Sequence, residues 1–301
     1  MRTWLNFIKD KKIFFQKEKL IKKNSKILSF GSCFAVEIRK RLRLQELQVL
    51  PNYSSLEIDK NTFRIGNLPE RDNINHYNTY TILYEFQRFE NIFKQKSDDF
   101  WTVEDKWFGK NISYQDPYRR AIYAESKNLI FDITKEIDLE IKKSIEIADI
   151  IIITLGLTEV WVKKNNDMIS CMNPGYAGGG GLEQTKFYSS NFADNLKNLK
   201  EIMNIINRKK HPSKVIFTVS PVPLGATFRN MDVVIANEES KSILRVAAAQ
   251  IVKDYKNAYY FPAYELCKYS QNVFKEDGRH VKPEMIDKIV ELFRLSFFEN
   301  N

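Results

Sequence analysis

Lys26-Ile27-Leu28-Ser29-Phe30-Gly31-Ser32-Cys33-Phe34-Ala35 carries an apolar run into a glycine turn and on toward a helical pattern. Lys26–Phe30 predicts a short strand. Ala35–Leu42, with Val36, Ile38 and Leu42 set among Arg and Lys, predicts a helix that begins just past the turn. A strand that turns sharply into a helix is the opening unit of a parallel α/β sheet. Ligands bind such sheets at the carboxyl ends of the strands, where Gly31-Ser32-Cys33 falls. The first N–H groups of the helix converge there and, helped by its dipole, suit a developing oxyanion.

The same alternation continues downstream. Asn128–Ile133 predicts a strand, Ile137–Ile147 a helix, and Ile150–Leu155 a fully buried strand with β-branched residues throughout. Helical spacing marks Tyr80–Phe93, Asn191–Ile206 and Asn237–Tyr255; strands are expected at Val215–Val219 and Tyr259–Phe261. Pro283 opens a final helix at a position proline suits. The expected fold class is α/β: a mainly parallel sheet with helices on both faces. Two stretches interrupt the rhythm. Residues 94–127, rich in Trp and Tyr and carrying Arg119-Arg120, and residues 163–190, with glycines at 178–181, are expected to be insertions without regular period. The glycine run lacks the Lys-Ser/Thr of a phosphate loop.

Composition sets the outer limits. The 301 residues are 43% hydrophobic and 28% charged, so the chain can bury a sizeable core and is not a disordered polymer. No apolar run approaches the ~18 residues of a membrane helix, and no signal peptide is read at the N-terminus, so a cytoplasmic protein is expected. Cys33, Cys171 and Cys267 are too few and scattered for a disulfide framework, and none has metal-ligand spacing. The net charge of +9 is spread along the chain without a nucleic-acid fold signature, so no nucleic-acid partner is expected. Residues 1–23 form a basic, aromatic extension to a domain spanning 24–300. Residues 1–20 are a candidate for peripheral membrane contact, although a terminal helix packed on the body is the simpler expectation.

Ser32 and Cys33 are both able nucleophiles; the alternative roles are a helix N-cap for Ser32 and a small buried hydrophobe for Cys33. Asp277-Gly278-Arg279-His280 supplies the complement. A carboxylate three residues before a histidine in a turn can accept the ring Nδ1–H and leave Nε2 to take a proton. The other two histidines, His76 and His211, lie in an aromatic polar segment and an expected surface loop.

Phe30-Gly31-Ser32-Cys33-Phe34-Ala35 resembles the name-giving motif of the GSCFA domain family, which looks like a branch of the SGNH (GDSL-like) hydrolase superfamily. Further similarity runs through Tyr77-Asn78-Thr79, Ile153-Thr154-Leu155-Gly156, Val219-Ser220-Pro221-Val222, Ser240-Lys241 and Phe261-Pro262-Ala263-Tyr264-Glu265 to Asp277-Gly278-Arg279-His280. It covers roughly residues 24 to 290. The resemblance implies a flavodoxin-like three-layer α/β/α sandwich and an enzyme that cleaves or transfers acyl groups on esters, often acetyl groups on carbohydrates. It makes His280 the general base and Asp277 its orienting partner. Ser32 is the preferred nucleophile by residue type, whereas alignment on Gly-Asp-Ser puts Cys33 at that position. The superfamily's Gly-x-Asn-Asp is here Gly156-Leu157-Thr158-Glu159, so the usual amide donor to the oxyanion is missing. Thr158 or Asn78 is expected to replace it, beside Gly31 and Gly156. No cofactor is required; acetyl-CoA is a candidate acyl donor, and a glycan or glycan precursor the expected substrate. The alternatives are a Cys33-dependent hydrolase and a carbohydrate-binding protein on an inactivated hydrolase fold.

Overall fold

A computed structural model describes residues 3–10, 13, 17–53, 56, 63–65, 74–120, 122–172 and 183–299. In chain order the elements are α1 (Trp4–Asp10), β1 (Lys26–Phe30), α2 (Cys33–Arg43), β2 (Gln48–Leu50), β3 (Phe63–Ile65) and α3 (Thr79–Phe89). There follow β4 (Trp101–Glu104), β5 (Ile112–Gln115), β6 (Ile122–Ala124), α4 (Lys127–Ile147), β7 (Ile150–Leu155), β8 (Glu159–Lys163), β9 (Ile169–Ser170) and β10 (Thr185–Ser189). The chain ends with α5 (Phe192–Arg208), β11 (Lys214–Val219), α6 (Val233–Asp254), β12 (Ala258–Tyr260), α7 (Ala263–Lys268) and α8 (Pro283–Phe297).

Five strands form one parallel sheet in the order β2-β1-β7-β11-β12, the flavodoxin-like arrangement. Alternation along the strands divides the core. Leu28, Phe30, Ile151, Ile153 and Phe217 join a cluster with the apolar stripes of α3, α4, α5 and α6. Ile27, Ile150, Ile152 and Ile216 face the other way, onto Phe34, Ile38 and Leu42 of α2 and onto α7 and α8. The central strands are therefore apolar on both sides, as sheets covered by helices require. The expected α/β/α sandwich is the observed one.

Three readings of local sequence differ from the structure. Asn128–Ile133 is not a strand but the first turns of α4, whose Ser126 cap accepts from Leu129 N. Ile130, Ile133, Ile137, Ile141 and Ile145 recur at helical spacing and are buried, so periodicity outweighs the β-branched run. Residues 94–127 are not irregular: a short 3-10 turn at Ser97–Asp99 leads into β4, β5 and β6, which with β3 form an antiparallel sheet in the order β3-β6-β5-β4. The buried positions of β5 are Ser113 and Gln115, so no apolar alternation announces it. Residues 163–190 likewise include strands. β10, β8 and β9 make a second antiparallel sheet, while Gly178 to Gly181 lie outside the described residues.

The N-terminal extension is tied to the body at two places. Trp4 and Phe7 of α1 meet the Tyr269 ring edge-on at 5.8 and 5.6 Å. Further along, Glu18 N donates to Ser296 O (2.8 Å), Ile21 N donates to Phe297 O (2.8 Å), and Ile21 is fully buried. Among the described residues no helix is long and apolar enough to cross a membrane.

A buried ionic cluster joins the layers behind the sheet. Glu85 of α3 accepts from Arg119 Nε (2.7 Å) and its terminal nitrogen (2.6 Å), lies 3.1 Å from Arg88, and faces His76 Nε2 at 3.3 Å. Burial would raise the Glu85 carboxyl, but Arg119 and Arg88 outweigh it and hold it at about 2. Burial pushes His76 down to about 4, so it is neutral near pH 7. The unfolded chain protonates this histidine below about 6.5, whereas the folded protein does not. Stability is therefore full above that pH and falls as the pH drops from 6.5 to 4. The expected loss from His76 by pH 4 is about 3 kcal/mol. Glu85 adds a further loss between 4.5 and 2. Urea unfolding at pH 7.5, 5.5 and 4 checks this; a His76→Gln variant whose stability falls just as steeply between 6.5 and 4 would refute it.

Candidate active site

Each loop at the carboxyl edge of the sheet is set by a local requirement. Gly31 follows β1 with φ +149°, and a Cβ there would stand 2.6 Å from Thr154 Cβ and 2.9 Å from Ala35 Cβ. Only glycine lets the turn pass so close to β7. Ser32 occupies the N-cap position of α2, but its hydroxyl makes no capping bond. The expected alternative role for Ser32 is met in position and not in bonding. Cys33 opens the helix, half-buried, with a free thiol.

After β7, Gly156 packs under the segment that precedes α3: an added Cβ would collide with Tyr77 O, and Leu157 N donates to that oxygen at 2.9 Å. The same segment is anchored beneath, where His76 N donates to Gly31 O (2.9 Å). It delivers Tyr77 and Asn78 to the carboxyl edge. Asn78 caps α3, accepting from Thr81 N at 3.0 Å, while its amide donates to Ser170 O at 3.0 Å.

A cleft of about 470 Å³ opens between these loops. Ser32, Cys33, Asn78, Gly156 and His280 all line it. Thr158 does not: its N–H donates to Ser240 Oγ (3.0 Å), its carbonyl accepts from Ser190, and the residue is buried behind the lining. Gly31 and Asp277 stand one step back, Gly31 shaping the turn and Asp277 holding the histidine. His280 is the one histidine on the cleft; His76 belongs to the ionic cluster and His211 is exposed.

Residues 274–281 form a hairpin-like turn closed by a bridge between Phe274 and Val281. Asp277 organises it: Oδ1 accepts from the backbone N–H of Arg279 and of His280, both at 2.9 Å, and Oδ2 pairs with His280 Nδ1. The bond from the imidazole, then those backbone N–H groups, hold the Asp277 carboxyl well below the usual carboxylate range. With Nδ1–H donated to an ionised carboxylate, Nε2 carries the lone pair. Both side chains are about half exposed, at 49% and 46%, so a proton can enter and leave.

Sequence reasoning assigns no role to the rest of the lining. Trp161 and Phe228 make an aromatic wall, edge to face at 4.7 Å, with Leu157, Val160 and Leu224 beside it. Glu159, also on the cleft, is committed elsewhere. It accepts from Thr227 Oγ1 (2.7 Å), Phe228 N (3.3 Å) and Arg229 Nε (3.1 Å), which fixes the loop bearing Phe228. Arg120 and Arg279 add cationic ends; the Arg279 guanidinium lies over Gly225, about 3.0 Å from where a Cβ would sit. Under the floor, Lys241 of α6 is 2% exposed and donates to Gly156 O and Val222 O at 2.7 and 2.8 Å. Its sequence signals are its place in the Ser240-Lys241 pair that shares in the family resemblance and a position where α6 turns its buried face inward. Among the described residues no group of His, Cys, Asp and Glu is arranged to hold a metal ion.

Comparison with known proteins gives the following. No curated protein sequence matches the chain. Among solved structures, a protein from Streptococcus pneumonia described as a platelet activating factor is similar at 12% identity, over 90% of this chain and 84% of that one, with a TM-score of 0.42. A mutant acetyl esterase with acetate ion aligns at 11% identity over 90% and 97% of the two chains, TM-score 0.37. A carbohydrate esterase family 3 structure from Talaromyces cellulolyticus aligns at 11% identity over 89% and 94%, TM-score 0.36. The sequence model of the GSCFA family matches residues 26–293, and with nearly the whole sandwich inside that match the chain belongs to the GSCFA family.

Proposed function

We propose that this protein is an acyl-ester enzyme, an O-acyl esterase or O-acetyltransferase, acting on a glycan or glycan precursor. The observation that carries the reading is the meeting of two distant pieces of chain. His280, with its ring held by Asp277, lines the same cleft as Ser32 and Cys33 at the mouth of α2. In this reading Nε2 takes the proton of Ser32 as Oγ attacks the acyl carbonyl. The tetrahedral oxyanion faces the first N–H groups of α2, with Gly156 and the Asn78 amide as further candidate donors. Collapse breaks the ester C–O bond, and His280 returns the proton to the leaving alkoxide. The acyl-enzyme then passes its acyl group to water or to a sugar hydroxyl, His280 again accepting the proton. Acetyl-CoA fits as donor in the transfer direction, with Arg120 and Arg279 supplying positive charge at the cleft. The aromatic wall of Trp161 and Phe228 supports a sugar ring as the group bound there.

Cys33 is the second candidate nucleophile, because it lines the cleft with a free thiol. Hydrolysis of 4-nitrophenyl acetate, with and without a sugar acceptor, separates the two. Ser32→Ala is expected to abolish turnover and Cys33→Ala to retain it; the reverse makes the enzyme a thiol one. Turnover unchanged in both overturns the nucleophile assignment, and no turnover in wild type, with or without the acceptor, leaves carbohydrate binding on this fold.

A further inference from the structure

Lys241 is a buried ammonium without an ion pair among the described residues, an arrangement that costs free energy and needs a reason. Its two hydrogen bonds go to Gly156 O and Val222 O, the carbonyls of the loops that follow β7 and β11. The neighbouring residue acts on the same loop, since Ser240 Oγ accepts from Thr158 N at 3.0 Å. Two consecutive side chains of α6 therefore hold the Gly156–Thr158 segment, where the chain has Thr158 in place of an amide donor. Of the ionisable groups that reach the ammonium, Cys33 from α2 comes first when it is a thiolate, then Glu238 from α6 itself; both favour the charged form, and Arg279 from the loop before α8 opposes it.

Resting on the acyl-ester reading for its catalytic meaning, we propose that Lys241 is a positioning residue: its ammonium clamps the loops after β7 and β11 beneath the cleft and favours negative charge at the Cys33 corner. It supplies by field, from below, part of what an asparagine amide would supply by contact. Burial pushes Lys241 down to about 7, so its charge is present in acid and fades above neutrality.

The test needs no turnover. Cys33 is the half-buried thiol; Cys171 donates to Asn75 O, and burial pushes both Cys171 and Cys267 up to about 12. Alkylation by iodoacetamide is followed at the Cys33 peptide by mass spectrometry from pH 6 to 9.5. Wild type is compared with Lys241→Gln, whose neutral amide can still bridge two carbonyls, and with Lys241→Met, which bridges none. Both variants are expected to react at least tenfold more slowly than wild type at pH 6.5, the gap closing by pH 9.5. A glutamine variant that alkylates like wild type at pH 6.5 overturns the proposal and leaves Lys241 a structural tether. Should the methionine variant not fold, the comparison of glutamine with wild type decides alone. Absence in wild type of both ester hydrolysis and acyl transfer to a sugar acceptor would defeat the functional reading while leaving this result standing.

Discussion

On the proposed acyl-ester reading, His280→Ala is expected to lower kcat/KM for 4-nitrophenyl acetate by about 10²–10⁴-fold, the usual worth of a positioned general acid and base. The imidazole is half exposed, and among the described residues its one side-chain partner is Asp277, so little structural duty confounds this. Thermal unfolding should move little, as for other surface substitutions. Asp277→Asn refines the test. Its remaining oxygen can still accept from the backbone N–H groups of Arg279 and His280, so the turn survives. The new amide, however, offers a donor to Nδ1 and favours the tautomer whose Nε2 already carries a hydrogen. Loss of rate in both variants with an unchanged fold is expected. Wild-type rates in either one would remove Asp277-x-x-His280 from the chemistry.

Gly31→Ala has the largest expected effect on stability. Its φ of +149° is a region L side chains avoid, and its Cβ would stand inside contact with Thr154 Cβ, Ala35 Cβ and Thr154 O at 2.6, 2.9 and 3.0 Å. Strain and overpacking together should cost about 4 kcal/mol. Relief requires pushing β1 away from β7 or tilting α2, and either displaces Ser32 and Cys33. Gly109→Ala is the control: its φ is +72° but nothing lies within 4 Å, so backbone strain alone should cost about 1–2 kcal/mol. Urea midpoints for the two variants should differ accordingly. Equal, small shifts would mean the turn has room that the geometry denies it.

Much of the sandwich is legible in the residues because its signals are local and redundant. Ile150–Leu155 and Val215–Val219 are apolar almost throughout, and the amphipathic helices beside them keep one face polar. The antiparallel sheets escape a sequence reading because their inward positions are polar or short: Ser113 and Gln115 in β5, the two residues of β9. In α4 the apolar run Leu129-Ile130-Phe131 suggests a strand, and the stripe that decides for a helix extends over 21 residues. Among site residues, Ser32, Cys33 and His280 carry reactive groups in recognisable turns, so type and spacing point to them. Thr158 is expected on the cleft from its place in a motif, yet Ser240 and Ser190 draw its backbone away from the cleft. The Ser240-Lys241 pair is visible in the sequence, but what Lys241 holds, like the Glu159–Arg229 lock, depends on contacts 70 to 85 residues apart that no local pattern announces.

The two ends of α8 serve opposite poles of the molecule. Its start lies three residues past His280, and its end is stitched to Glu18–Ile21. Fifteen residues of helix span about 22 Å, so a label, surface tether or fused partner joined after Glu299 would begin roughly that far from the cleft mouth. Anchored by that end, the protein would present its opening outward to large, insoluble or polymeric material.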